Sequence, residues 1–122
     1  MINSEPHPFF KSVRIEKLDA DNFDKCLSET QGKLVGVFFW GPGCPNCEVA
    51  KNRLHQEADT LNAMGLNWFH VNVYENFDLG TRFGLYGIPT FLFFQGRKKL
   101  GKISPFPGLT PFFDALRGLK ER

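Results

Sequence analysis

Apolar residues fall in two rhythms along this chain. Val13 to Leu18 alternates as Val-Arg-Ile-Glu-Lys-Leu, the period-two spacing of a short strand with Val13 and Ile15 on one face. Asp21 then stands as a helix N-cap, with Phe23 and Leu27 four apart on one helical face, and Gly32 ends that segment. Leu34 to Trp40 is nearly unbroken, Leu-Val-Gly-Val-Phe-Phe-Trp, which predicts a strand buried on both faces of a helix-covered sheet. Gly41, Pro42 and Gly43 stop the run. A helix is expected from Cys44, with Pro45 in its first position, where a missing N–H costs nothing. Cys47, Ala50, Leu54, Ala58 and Leu61 recur at helical spacing as its buried stripe, and Gly65 closes it as a left-handed cap. Asn67 to Val73 predicts another buried strand, with Phe69, Val71 and Val73 on one face. Asp78 to Phe83 suits a short helix, and Thr90 to Phe94 a third apolar strand. A turn at Gly96 leads to an antiparallel edge strand, Lys98 to Ser104. Thr110 is the expected cap of a last helix, with Pro111 in first position and Phe112, Leu116 and Leu119 as its core stripe. The alternation predicts an α/β layered domain with a mixed sheet between helices. Residues 1–11 carry two prolines and little pattern and are read as an extended N-terminal arm before a domain at 12–122.

Composition narrows this picture. The 122 residues suit one compact domain. A 42% hydrophobic content with fourteen phenylalanines supplies a core that needs no disulfide staples. The net charge of +2, from 15 basic and 13 acidic residues, points to neither nucleic acid nor a membrane as partner. The basic group Arg97, Lys98, Lys99 and Lys102 reads as a solvated hairpin turn. Met1 to Pro8 has neither the basic head nor the apolar run of a secretory signal, and no stretch approaches the ~20 apolar residues of a membrane span. A cytoplasmic location is therefore expected.

Three cysteines cannot form a closed disulfide framework. Cys44 and Cys47 stand three positions apart, where a strand hands over to a helix. One helical turn brings such thiols together. The first lies at the helix start, where free backbone N–H groups and the macrodipole favour negative charge and so the nucleophilic thiolate. The second points back into the domain. Cys44 can then attack a disulfide and Cys47 resolve the mixed disulfide. The pair also fits half a zinc site or two thiols without special chemistry. A structural zinc site needs four ligands, and Cys26, His7, His55 and His70 are not paired at ligand spacing.

The segment Val37-Phe38-Phe39-Trp40-Gly41-Pro42-Gly43-Cys44-Pro45-Asn46-Cys47 resembles the active-site segment of thioredoxins, in which an apolar strand ends in Trp before C-x-x-C. Downstream, Phe83-Gly84-Leu85-Tyr86-Gly87-Ile88-Pro89-Thr90 is similar to the family's Y-G-(I/V)-x-(G/S)-I-P-T segment, and Val71-Asn72-Val73 resembles its third strand. The match runs from about residue 13 to the C-terminus. It implies a thioredoxin fold, with a mixed central sheet of four to five strands flanked by helices. It also implies a cis peptide before Pro89, placed opposite Cys44. In the family that turn blocks metal capture by the dithiol, and the residue before it, here Ile88, pairs with an extended substrate segment. Trp40 would flank the cysteines, either as shape-giving surface or as plain core.

The implied function is a monomeric thiol–disulfide oxidoreductase that reduces protein disulfides. It would need no cofactor beyond the Cys44–Cys47 pair, with electrons from a reductase or a small thiol. Two alternatives stand beside it: a disulfide oxidase or isomerase, and a binding module with incidental redox chemistry. Three departures from the family bear on that choice. The dipeptide between the cysteines is Pro45-Asn46 instead of Gly-Pro, which leaves the direction of exchange open. Phe38 stands where thioredoxins carry a buried Asp proposed to take the proton from the second cysteine. His70, expected to titrate near neutral pH and serve as a base, and Glu48 are the candidate proton relays in its place, although His70 also reads as a packed strand residue and Glu48 as a first-turn acid that complements the helix dipole. Gly43 replaces the bulky residue common before the first cysteine, which suggests a different protein partner. Cys26 is expected as a small buried side chain of the first helix.

Overall fold

The computed structural model describes residues 7–121. Five strands, β1 (Ile15–Lys17), β2 (Leu34–Trp40), β3 (Asn67–Asn72), β4 (Thr90–Gln95) and β5 (Lys98–Ile103), form one mixed sheet in the order β1-β3-β2-β4-β5. β2 runs parallel to β3, with Val37 opposite Phe69, and antiparallel to β4, with Val37 opposite Leu92. β1 is parallel to β3, and β5 is the antiparallel edge beside β4.

The unbroken apolar run of β2 follows from its place in the middle of this sheet. Phe38 faces one layer with Phe91, Phe93 and Trp68. There it meets Ala50 and Leu54 of α3 (Pro45–Gln56), Leu61 of α4 (Ala58–Ala63), and Phe112 and Leu116 of α6 (Leu109–Lys120). Val35, Val37 and Phe39 face the other layer with Phe69, Val71, Leu92 and Phe94. Phe23 and Leu27 of α2 (Phe23–Ser28) and Leu79 of α5 (Phe77–Arg82) cover them. Gly36 is the one residue of β2 without a side chain, and a Cβ there would overlap the ring of Trp68 on the neighbouring strand. The glycine makes room for an indole that reaches across the sheet face.

Several expectations change. The arm is not extended where it is described: Phe9–Ser12 form a helical turn, α1, and Phe9 is buried in the core against Phe38. Residues 1–6 of the expected arm lie outside the described residues. α1 is fastened to the following helices by side-chain bonds, His7 Nε2 to Asn52 Oδ1 at 2.7 Å and Ser12 Oγ to His55 Nδ1 at 2.7 Å. Asn62 adds a pair, accepting from the Arg14 N–H at 3.0 Å and donating to the Ser12 carbonyl at 2.9 Å. The long helix after Cys44 is two helices, because Glu57 leaves helical geometry (φ −112°, ψ 27°) between α3 and α4. Its expected stripe still holds, with Cys47, Ala50, Leu54, Ala58 and Leu61 all buried. Asp21 does not cap α2. Asn22 is the N-cap, and Asp19 Oδ1 accepts the N–H groups of Asp21 and Asn22 at 2.9 Å each. α6 begins at Leu109 after Gly108, so Thr110 and Pro111 lie inside its first turn.

Phe9→Ala removes a large buried ring from a packed layer, so unfolding free energy in urea should fall by roughly 3 kcal/mol. A loss under about 0.5 kcal/mol, the ordinary scale of a surface substitution, would return α1 to the status of a loose arm.

Candidate active site

The C-terminal end of β2 delivers the chain to α3 through three residues that are shaped by backbone demands. A Cβ on Gly41 would meet Ile88 Cδ1 at 3.0 Å and the ring of Tyr74 closer still. Gly43 has φ +75°, a left-handed conformation that β-carbons disfavour. The absence of the family's bulky residue at Gly43 thus has a backbone cause in this chain. Cys44 follows in extended geometry as the N-cap of α3, with Pro45 in the first turn as the sequence predicts.

Cys44 and Cys47 are disulfide-bonded, with their Cα atoms 5.2 Å apart. Cys44 is partly exposed, whereas Cys47 is fully buried. The Cys47 backbone N–H donates to Cys44 Sγ at 3.1 Å. It is one of the free donors of the helix start, and it is aimed at the sulfur that would carry charge once the bond opens. The Ile88–Pro89 peptide is cis, and the Ile88 carbonyl oxygen lies 3.7 Å from Cys44 Sγ. The strand end, the helix start and the Ile88–Pro89 turn therefore converge on one sulfur. Cys44, Cys47 and the Ile88–Pro89 turn meet directly, Pro45 opens the helix beside them, and Trp40 and Gly43 line one cleft together with Glu48 and Lys51.

The two candidate relays have other attachments. Trp40 Nε1–H donates to His70 Nδ1 at 3.0 Å, and the Phe10 ring lies 4.2 Å from the imidazole, centroid to centroid. Burial first, then the positive charges of Lys17 and Lys51, push the His70 pKa down to about 4. The expected titration near neutral pH is therefore corrected: the imidazole is neutral at pH 7, and its Nδ1 is occupied in fixing the indole. Glu48 forms an ion pair with Lys51 at 2.8 Å, in which the Lys51 side chain is 5% exposed and that of Glu48 50%. Phe38, at the family's carboxylate position, stacks on Phe91 with ring centroids 4.9 Å apart, so an aromatic pair fills that position.

Three features escaped the sequence reading. Lys51 is buried, with its ammonium 4.0 Å from the Trp40 ring centroid and 5.3 Å from that of Phe10. Its position four residues after Cys47 placed it on the buried side of the helix, but its charge argued for solvent. Phe10 closes the far side of Trp40 and His70. On the opposite flank, Tyr74, Phe77, Leu85, Tyr86 and Ile88 line a groove of about 380 Å³, and its rim leaves Phe77 and Tyr86 exposed. Cys26 is partly exposed on α2, not fully buried as expected; burial, then Glu29 and Glu16, push its thiol pKa up, away from reactivity.

The thioredoxin family model matches residues 14–109, most of the chain, and the chain belongs to the thioredoxin family. A putative protein disulfide-isomerase of Schizosaccharomyces pombe is 25% identical over 96 residues, covering 79% of this chain and 19% of that protein. Protein disulfide-isomerase of Humicola insolens is 29% identical over 94 residues, 77% of this chain and 18% of that protein. The chain thus spans about a fifth of the length of those relatives. Thioredoxin of Malassezia sympodialis is 25% identical over 83 residues, 67% of this chain and 79% of that protein. Among solved structures, Chlamydomonas reinhardtii thioredoxin f2 superposes with a TM-score of 0.73 at 22% identity, covering 87% of this chain and 95% of the other. That likeness establishes the thioredoxin fold.

The low pKa of His70 has a pH consequence. An unfolded imidazole takes up its proton near pH 6.5, while the folded one waits until about 4. Its contribution to stability is complete above about pH 6.5 and is lost as pH falls toward 4. Urea titrations should show the native chain losing roughly 3 kcal/mol more over that window than His70→Gln, which keeps an acceptor for Trp40. Parallel profiles for the two proteins would refute the assignment.

Proposed function

We propose that this domain is a thiol–disulfide oxidoreductase that reduces disulfides in proteins. The observation that carries this reading is the pairing of a partly exposed Cys44 at the tip of α3 with a buried Cys47 in covalent reach behind it. In the reduced form, the Cys44 thiolate attacks one sulfur of a substrate disulfide. A mixed disulfide forms and the other substrate sulfur leaves as a thiolate. Cys47 loses its proton and attacks Cys44 Sγ. The intramolecular disulfide re-forms, and the second substrate sulfur leaves. Two electrons have passed from the domain to the substrate.

The backbone at Ile88, held against Cys44, supports docking of an extended substrate segment by main-chain pairing, with modest sequence demand. The aromatic groove beside Ile88 would take an apolar side chain of that segment. Electrons would return from a reductase or a small thiol, as suits a reducing compartment such as the cytoplasm and a monomeric domain.

A second reading, oxidation or isomerisation of disulfides, is favoured by the apolar Phe38 in place of a buried carboxylate and by relatives named as isomerases. The two readings share the same sulfurs and differ in potential. A complete Cys44–Cys47 pair against the Ile88–Pro89 turn speaks against a module that only binds.

Cys44→Ser should reduce turnover of a model protein disulfide such as insulin to the uncatalysed background. Cys47→Ser should accumulate mixed disulfides with partner proteins, visible on non-reducing gels and dissolved by added thiol. Undiminished turnover in Cys44→Ser would end the exchange mechanism.

A further inference from the structure

One charged group near the disulfide has no part in the exchange steps above. Lys51 lies four residues after Cys47 on α3, so the two side chains are neighbours on one helical face, and both are buried. Helical side chains lean toward the N-terminus, which carries the ammonium toward the cysteine end. Its surroundings there are the Trp40 and Phe10 rings and the carboxylate of Glu48. Among the described residues its counter-ion is Glu48, which is half in water, and water weakens the carboxylate's field more than that of the enclosed ammonium. The position that thioredoxins fill with a buried acid is the uncharged Phe38, and His70 is neutral at pH 7. The buried charge on the helix face that carries Cys47 is thus positive, where the family pattern has a negative one behind the second cysteine.

We propose that Lys51 is a positioning residue that sets the redox poise of the Cys44–Cys47 pair by stabilising its reduced, anionic form. Reduction by glutathione defines the equilibrium. The protein disulfide bond breaks and one glutathione disulfide bond forms. Two glutathione thiols supply two electrons and two protons, and a protein thiol that ionises returns its proton to solvent. A buried cation one helical turn beyond Cys47 favours the right-hand side and makes the domain a stronger oxidant. Glu48 acts against it: its carboxylate holds the ammonium and opposes a second negative charge on the adjoining residue.

The inference rests on the exchange chemistry proposed for the same two cysteines, and its test does not require a known substrate. The full chain is equilibrated in glutathione buffers of defined ratio, quenched with acid, alkylated, and its oxidised fraction read by mass. Lys51→Met keeps the apolar stem and removes the charge. Its equilibrium constant for reduction should fall about tenfold, which is ~30 mV toward a more reducing potential. Glu48→Gln, at a half-exposed position, should move the constant upward by several-fold. Lys51→Arg should stay within about twofold of the native chain. Opposite signs for the two charge removals, with rescue by arginine, are the signature that loosened packing does not produce. A constant for Lys51→Met within twofold of native, or a shift of both variants in one direction, overturns the assignment. A native chain that equilibrates normally but shows no Cys44-dependent turnover would instead overturn the proposed reductase activity and leave the role of Lys51 standing.

Discussion

β2 lies in the middle of the sheet, hydrogen-bonded to β3 on one side and β4 on the other, with phenylalanines packed into both layers. Its C-terminal end cannot shift without breaking two ladders and two cores at once. That immobility decides where α3 starts, and α3's start decides where Cys44 sits. The same register brings β4 in beside β2, which places the Ile88–Pro89 turn against the sulfur. The reactive corner is precise because its three walls are extensions of one buried strand and its partners.

The chemistry is divided between backbone and side chains. Backbone supplies the N–H aimed at Cys44 Sγ and the carbonyl on its other side. Side chains supply the apolar surround, with Trp40 held by the His70 bond in front and by Lys51 over its face. Phe38, stacked on Phe91, puts an aromatic ring where the family pattern has a carboxylate. The usual arrangement of a buried acid behind the second cysteine has been replaced by a ring stack, a neutral imidazole and a cation.

Much of this was legible in the chain. The alternation of strands and helices and the buried stripe from Cys47 to Leu61 follow from residue spacing, which local geometry reads directly; the turn at Pro89 and its place opposite Cys44 came through the resemblance of two segments to thioredoxins. The failures have physical reasons. α1 is a single turn, too short to show a period, so its two phenylalanines looked like part of an unpatterned arm. The break at Glu57 carries no proline or glycine, so no breaker residue marks it in the chain. Lys51 combines a charged head with an apolar stem, and only tertiary packing could say which part wins. The groove by Ile88 is assembled from the turn after β3, α5 and the loop before β4, and no local spacing announces it.

The family match begins at residue 14, yet Phe9 and Phe10 sit against Phe38, Trp40, His70 and Lys51. The wall behind the indole is therefore built from a segment that the shared family pattern does not include. A fragment cut at that boundary would keep both cysteines and every motif residue, while water gained access to the imidazole and the ammonium. Such a fragment would be a different redox protein, and its properties would misreport those of the chain that carries its own lining.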